Sequence, residues 1–338
     1  MKKIKVIAEI GINHNGNLNK AKKLVDIAKK SGADIVKFQT YRVDELLGRE
    51  EPKMEYQKKN DKRSLNQYQL LKKCQLDYKQ HKELINYCKR KKIKFLSTPY
   101  DISSANLLKN LNQKTVKISS SDTDNLFLLD HCLKLNLNLI ISTGATNEKE
   151  LDFILNSINL KKYRKKIALL HCVSNYPANI FSTNLLVINT LINKYGIEVG
   201  FSDHTEDPNF GMYAAFSGAS IIEKHITLNK KDIGPDHKAS LNYREFFHYV
   251  KKIRFAEKVL GSEYKSVTNE EKKIKLQMRK SLFFAKNMKA NEKIKIFHIK
   301  TKRPSTGISP KLYKKLLGKK IKFPVKENQI VKLKNIIK

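Results

Sequence analysis

Eight short apolar runs rich in Ile, Val and Leu recur along the chain as far as residue 225. Longer polar stretches separate them, and two of these, residues 17–32 and 78–92, have the apolar spacing of amphipathic helices. Strands that alternate with helices over about 260 residues predict a (β/α)8 barrel. A doubly wound sheet is disfavoured because no Gly-x-Gly-x-x-Gly turn follows the first run. The eight runs end at Asn13, Thr40, Tyr100, Ser120, Gly144, Ser174, His204 and His225.

The pattern of the chain changes after the eighth run and its following helix. We predict a barrel domain over residues 1–262, a charged linker with helical character over 263–280, and a small β-rich domain over 281–338. Three β-like runs, at 281–286, 293–299 and 329–336, support the last of these. The longest connection inside the barrel, residues 42–75, is charged and is predicted to form an elaborated loop after the second strand.

Composition narrows the class of protein. Hydrophobic residues make up 40% of the 338 residues, enough for a sizeable core, and no apolar stretch is long enough for a transmembrane helix. The four cysteines are far apart and form no Cys-x-x-Cys pair, which favours buried, reduced thiols in a cytoplasmic protein over a cysteine metal cluster. They are Cys74, Cys88, Cys132 and Cys172.

The net charge is strongly positive. Sixty-eight Lys and Arg residues against 32 Asp and Glu give a formal charge of +36, which raises the question of nucleic-acid binding. The excess is spread along the whole chain and no nucleic-acid motif accompanies it, so we predict no nucleic-acid partner. Long-range attraction of a small anionic substrate is the milder consequence that we expect.

Polar residues mark the carboxyl end of every predicted strand. Lys37 and Gln39 are two residues apart, as are Glu223 and His225, so each pair points to one side of its strand. The carboxyl ends of barrel strands form one face, on which such barrels carry their active sites. One polar strand end means little, but eight together predict a functional site.

The residue types at these ends suggest a ligand. Lys37, Lys117 and a set of hydroxyls suit a phosphate and a carboxylate because all of them donate hydrogen bonds. His204 and His225 end neighbouring strands, so their imidazoles could share a divalent metal ion. Each residue alone has an ordinary structural explanation, and it is their convergence that favours a site. The hydroxyls are those of Thr98, Ser120, Ser142 and Ser202.

Two other classes of function stay open from the residues alone. One is a metal-dependent barrel aldolase or isomerase, and the other is a binding protein without catalysis. His14 and His237 also follow strand ends and are left undecided. The remaining histidines outside the runs are predicted to be structural: His81, His131, His248 and His298.

A series of motifs resembles the sialic acid synthase family over nearly the whole chain. In order they are IAEIGINHNG, GADIVKFQT, STPYD, VKISSSD, IISTGAT, LLHCVSNYPA, GFSDHT, EKHITL, GPDHKASL and KRPSTGISP. The resemblance implies a barrel followed by a small antifreeze-like (SAF, β-clip) domain, and condensation of phosphoenolpyruvate with an N-acylated amino sugar. The stretches PKMEYQKKN and GPDHKASL are similar to the branch that makes N-acetylneuraminate or N,N'-diacetyllegionaminate, with a pseudaminate-type synthase as the alternative.

The resemblance also implies roles for individual residues. His204 and His225 would bind manganese or magnesium, and Glu9 and Glu223 would lie beside the reacting carbons. Phosphoenolpyruvate would contact Lys37, Thr98, Lys117, Ser120, Ser142, Ser174 and Ser202. The sugar would contact Gln39, Tyr176, Asp236 and Arg303, the last of these from the partner in a domain-swapped homodimer. One departure is Ser119, where the family has glycine, although Asp122 keeps the following acid.

Overall fold

The computed structural model describes residues 3–53, 57–58, 64 and 66–337. It divides into two compact units, residues 1–261 and 262–338. In the part of the chain that is described, no helix is both long and apolar enough to cross a membrane. Most of the stretch PKMEYQKKN lies outside the described residues.

The first unit is an eight-stranded parallel barrel, as predicted. The strands follow the order β3-β2-β1-β8-β7-β6-β5-β4, and β3 lies against β4, so the sheet is nearly closed. All seven hydrogen-bonded pairings are parallel. The strands are β1 Lys5–Gly11, β2 Ile35–Thr40, β3 Lys94–Pro99, β4 Thr115–Ile118, β5 Asn138–Ser142, β6 Ile167–Cys172, β7 Glu198–Asp203 and β8 Ile221–His225.

Helices follow the strands and cover the outside of the barrel. The two helices predicted from their spacing form as α1 and α4, the second with an Asp77–Gln80 capping box at its start. The described helices of this unit are α1 Leu18–Lys30, α2 Val43–Leu46, α3 Gln67–Cys74, α4 Tyr78–Arg90, α5 Ile102–Asn110, α6 Leu126–Lys134, α7 Glu148–Ser157, α8 Leu160–Tyr163, α9 Leu186–Tyr195, α10 Phe210–Phe216 and α11 Tyr243–Leu260.

The inside of the barrel has an apolar layer beneath its polar end. Ile7, Leu96, Ile140 and Ile221 belong to one small buried cluster. Because side chains two residues apart on a strand share a face, these four place Glu9, Thr98, Ser142 and Glu223 one layer higher on the same inner side. The apolar layer therefore forms a floor that excludes water from below the polar groups.

The described parts of the long connection after β2 pack on the barrel rather than extending from it. Ile12, Tyr41 and Val43 form a buried cluster with Leu70 and Leu71 of α3. The Tyr41 hydroxyl donates to the Leu71 carbonyl at 2.9 Å. This packing fixes the loops that follow β1 and β2, next to the polar end of the barrel.

The second unit begins with helix α12 (Asn269–Met278), inside the stretch predicted as a linker, and contains strands β9 (Ser281–Phe284) and β10 (Ile299–Lys302) in an antiparallel pair. The predicted run 293–299 does not form one strand, because a 3-10 turn at Ile296–His298 interrupts it. The run 329–336 forms isolated bridges at Ile330 and Ile336 and a 3-10 turn at Leu333–Asn335 instead of a strand. A short helix, α13 (Tyr313–Leu316), lies between β10 and this run, and the unit has its own small apolar core.

Candidate active site

A buried lysine lies between two buried carboxyl groups at the carboxyl end of the barrel. Strand register places Glu9 beside both Lys37 and His225. The Lys37 Nζ lies 3.3 Å from Glu9 Oε1 and 3.2 Å from Glu223 Oε1. All three side chains are at most 7% exposed, so water does little to screen their charges.

The two carboxyl groups are in opposite protonation states at neutral pH. Burial raises the pKa of Glu9 to about 8, and the neighbouring Glu223 adds to the rise while Lys37 opposes it. Burial alone would raise the pKa of Glu223 too, but the ammonium groups of Lys117 and Lys37 lower it to about 2. Glu9 can therefore donate a proton and Glu223 can accept one, an arrangement suited to acid–base chemistry.

A second buried lysine and several hydroxyls adjoin this group. Lys117 donates to the Ser142 hydroxyl and, at 3.0 Å, to the Ile118 carbonyl. Burial lowers the pKa of Lys117, although Glu223 opposes the change. The Thr98 hydroxyl lies 3.5 Å from Lys37 Nζ, and Ser202 donates to Glu223 Oε1 at 3.1 Å.

The loops after β4, β5 and β6 meet at a glycine. Gly144 N donates to the Ser120 hydroxyl at 3.2 Å. A Cβ at position 144 would lie 2.7 Å from Ser120 Oγ and 2.1 Å from Ser174 Oγ, so a side chain there would displace both hydroxyls. The two serines thus lie side by side, with the Cys172 thiol 3.2 Å from Ser120. The run ending in Gly144 pointed to this loop, but only the fold reveals why glycine is required.

The two strand-end histidines face each other. The rings of His204 and His225 are 6.0 Å apart between centroids, and Tyr176 lies 4.1 Å from the first and 6.0 Å from the second. His204 Nδ1 donates to the Val173 carbonyl at 2.7 Å, so its Nε2 carries the lone pair. That atom lies 3.1 Å from the Tyr176 hydroxyl and 3.3 Å from that of Ser202.

This pair fits a divalent cation. Burial lowers the pKa of His204 to about 4 and that of His225 well below its usual value, so both imidazoles are neutral, the form that binds metals. His225 Nδ1 is buried and makes no hydrogen bond within the described residues. Those residues contain no group of three or more His, Cys, Asp or Glu arranged around a metal position, so the other ligands would be oxygen atoms of the substrate, of water or of other protein groups.

Two predicted sugar ligands border the same space. A Cβ added to Gly11 would lie 3.1 Å from Glu9 Oε1 and 3.6 Å from Gln39 Nε2, which places the Gln39 amide beside Glu9. Asp236 is buried on the loop after β8, and burial raises its pKa to about 6 while Lys37 opposes the rise. Arg303 belongs to the second unit, where its side chain is exposed and its peptide bond to the following proline is cis.

The similarity of this chain to known proteins extends over most of its length. Residues 24–265 match the profile described as the NeuB family. The chain belongs to the NeuB family. It is 41% identical over 334 residues to the N,N'-diacetyllegionaminic acid synthase of Campylobacter jejuni, covering 98% of this chain and 100% of that one. It is 38% identical over 322 residues to the enzyme of that name from Legionella pneumophila, covering 94% and 90%.

A solved relative shares both sequence and fold with this NeuB-family chain. The N-acetylneuraminic acid (sialic acid) synthetase of Leptospira borgpetersenii, crystallised with citrate, is 31% identical with a TM-score of 0.72. The alignment covers 81% of this chain and 90% of that structure. The chain is thus an enzyme of the sialic acid synthase type, as its motifs predicted.

The NeuB-family site also contains a residue that the sequence reasoning passed over. Tyr100, directly after β3, is hydrogen-bonded to Ser119, and burial raises the pKa of its phenol, with Lys37 opposing. Its position at the end of the STPY run was the available signal. The departure from glycine at position 119 therefore has a partner inside the site, a contact that the sequence alone did not indicate.

The two undecided histidines of this NeuB-family chain stabilise loops. His14 Nδ1 accepts from Gly16 N at 3.0 Å, within the turn after β1. His237 Nδ1 pairs with the Thr227 hydroxyl at 2.7 Å and its Nε2 lies 3.3 Å from the Asn15 amide. Both rings are almost fully buried, and His237 links the loops after β1 and β8.

Proposed function

We propose that this NeuB-family enzyme condenses phosphoenolpyruvate with an N-acylated amino sugar, giving a nine-carbon sialic-type acid and phosphate. The observation that carries the proposal is the buried set of Lys37 between Glu9 and Glu223, beside a second ammonium and two neutral imidazoles. Such a set supplies cationic donors for a phosphate and carboxylate, and an acid and a base for carbon–carbon bond formation.

The acceptor that we favour is 2,4-diacetamido-2,4,6-trideoxymannose, with N,N'-diacetyllegionaminic acid as product. The support is that the relatives from Campylobacter jejuni and Legionella pneumophila both carry the name of that synthase. N-acetylmannosamine is the competing acceptor, in line with the name of the Leptospira structure. A pseudaminate-type acceptor is the third candidate.

Phosphoenolpyruvate is assigned to the side of the barrel formed by β2 to β7. Lys37 and Lys117 offset its negative charge, and hydroxyl groups donate to its oxygens. Because Lys37 and Lys117 are buried, water does little to screen their interaction with an anion. The hydroxyl groups are those of Thr98, Ser120, Ser142, Ser174 and Ser202.

The sugar is assigned to the side that carries Gln39, Tyr176 and Asp236. A divalent ion bound by His204 and His225, manganese or magnesium, would polarise the aldehyde oxygen of the open-chain sugar. Tyr176 contacts the His204 ring, and Gln39 lies beside Glu9, so both can donate to sugar oxygens.

The proton transfers follow from the protonation states. The enol carbon of phosphoenolpyruvate bonds to the aldehyde carbon, and Glu9 gives its proton to the oxygen that becomes negative. Glu223 takes a proton from the water that adds to the adjacent carbon. The carbon–oxygen bond to phosphate then breaks and the proton on Glu223 passes to the departing phosphate. The hydroxyl that came from water loses its proton to Glu9 as it becomes the keto group, so both carboxyl groups return to their starting states.

A composite site between two subunits is a further part of the proposal. Arg303, exposed on the second unit, would reach the sugar's N-acyl oxygen in a partner's barrel. Its planar guanidinium, always charged, suits a carbonyl acceptor. The support is the exposure of this side chain and the sequence resemblance of its loop.

The test is a phosphate-release assay on purified protein with each acceptor in turn, with and without phosphoenolpyruvate. We expect release only with both substrates and a higher kcat/KM for the diacetamido sugar than for N-acetylmannosamine. Product formation from the sugar without phosphoenolpyruvate would instead indicate an aldolase. An oxygen-18 label in the bridging position of phosphoenolpyruvate should appear in the phosphate, since the carbon–oxygen bond breaks.

A further inference from the structure

A fully buried ion pair lies directly behind the two histidines. Lys224 Nζ is 3.1 Å from Asp203 Oδ2, and both side chains have 0% exposure. The two residues are opposite each other in the β7–β8 pairing. Since side chains alternate along a strand, Lys224 points away from the site while Glu223 and His225 on either side point into it. None of the proposed chemistry uses this pair.

The hydrogen bonds of this pair involve the residues on either side of His204 in the sequence. Asp203 Oδ1 accepts from both the backbone N–H and the hydroxyl of Thr205, each at 2.8 Å. Lys224 Nζ also donates to the Thr205 carbonyl. One ammonium group on β8 therefore binds the residues immediately before and after His204, and it does so from between Glu223 and His225.

A tyrosine from the outer layer completes the cluster. The hydroxyl of Tyr249, on α11, donates to Asp203 Oδ2 at 2.8 Å, and its ring centroid lies 5.7 Å from Lys224 Nζ. A Cβ on Gly211 of α10 would lie 2.5 Å from Tyr249 Cζ, so a glycine is required for the ring to reach this position. Strands β7 and β8 and helix α11 are thus connected through one set of hydrogen bonds.

Stability does not account for a cluster of this kind. Removing two charges from water costs several kcal/mol per ion, and apolar residues of similar volume often replace a buried pair without loss of stability. A directional ion pair fixes the relative orientation of the two backbones, whereas an apolar contact does not. Here those backbones carry the facing imidazoles.

We propose that Lys224 and Asp203 are positioning residues that set the separation of His204 and His225, and with it the affinity of this pair for a divalent cation. The claim about the separation of the imidazoles concerns only the geometry of the barrel. The claim about cation affinity rests on the metal site in the proposed function.

The variants are chosen to distinguish a role in positioning the imidazoles from a role in protein stability. Lys224→Met removes the ammonium group and leaves Asp203 buried without its cation. Lys224→Met combined with Asp203→Asn removes both charges, so no lone charge is left in the core. Arg254→Met is the matched control, because Arg254 also joins α11 to the strands through an ion pair, with Asp34 in the connection between α1 and β2, away from the site.

The measurements are Mn²⁺ affinity by calorimetry on metal-free full-length protein, thermal stability, and the crystal structure of each variant. We expect both Lys224 variants to bind Mn²⁺ about 10- to 100-fold more weakly, the usual effect of losing a group that orients metal ligands. The distance between the imidazole centroids should depart from 6.0 Å. Arg254→Met should lose stability but keep wild-type Mn²⁺ affinity and the wild-type distance.

Each alternative result has a defined meaning. Wild-type affinity and an unchanged imidazole distance in the double variant would overturn the proposal. Failure of the double variant to fold would also overturn it, because the pair would then act through stability. If the wild-type protein binds no Mn²⁺ while the imidazoles still move in the variants, the positioning role stands and the proposed metal dependence is wrong.

Discussion

Glu9 carries the most specific physical prediction of the site, because its carboxyl group is held protonated at neutral pH. Its pKa is raised from 4.5 to about 8, mainly by burial. Between these two values the folded protein keeps a proton that the unfolded chain releases. Stability must therefore fall as the pH rises through this window, and it is highest on this account below the unfolded value.

The size of the effect follows from the raised pKa. One pKa unit corresponds to about 1.4 kcal/mol, and from about pH 6 to pH 8 the expression for a single site gives a loss of about 2 kcal/mol. For a unit the size of this barrel, each kcal/mol changes Tm by about 2–4 °C. Glu9→Gln keeps the shape of the side chain and cannot ionise, so it lacks this pH-dependent loss of stability. Over the same pH range its Tm should therefore fall by roughly 4–8 °C less than the Tm of the wild type.

The assay is thermal unfolding of wild type and Glu9→Gln at several pH values. Glu83→Gln is the matched control, because Glu83 is exposed on α4, and it should follow the wild type. If wild type and Glu9→Gln show the same pH dependence, Glu9 ionises in the ordinary range and its assignment as proton donor is wrong. In the proposed reaction Glu9→Gln should also lower kcat about 10²- to 10⁴-fold, the usual contribution of a general acid.

Three other substitutions test the remaining parts of the site. His225→Ala should abolish turnover and Mn²⁺ binding while circular dichroism stays unchanged, and chelation should inactivate the wild type reversibly; full activity in excess chelator would rule out the metal. Lys117→Met should raise the phosphoenolpyruvate KM or lower kcat by about 10²-fold, which is the usual effect of losing one donor that stabilises negative charge. An effect confined to the sugar KM would contradict the assignment. Mixing inactive His225→Ala and Arg303→Ala proteins under subunit exchange should restore part of the activity, and no recovery despite proven exchange would exclude a composite site.

The sequence alone was sufficient to predict the barrel and the polar residues at the carboxyl ends of its strands. Eight apolar runs with polar ends determine the strands, because burial on both faces of a parallel strand requires continuous apolar residues. The spacing of two residues in Lys37–Gln39 and Glu223–His225 determines which side chains point inward. These are local rules, so they can be applied without knowing which strands are neighbours.

Tertiary structure decided how those residues act on one another. Only the pairing of β8, β1 and β2 brings Lys37 within 3.3 Å of two carboxyl groups that are 214 residues apart along the chain, and only burial together with the lysine charges gives the two groups different pKa values. The sequence also did not predict the Lys224–Asp203 pair, because each of these residues is simply a charged residue between two site residues of its own strand. Electrostatic coupling depends on distance and on exclusion of water, and neither quantity is encoded in the spacing of residues along a single strand.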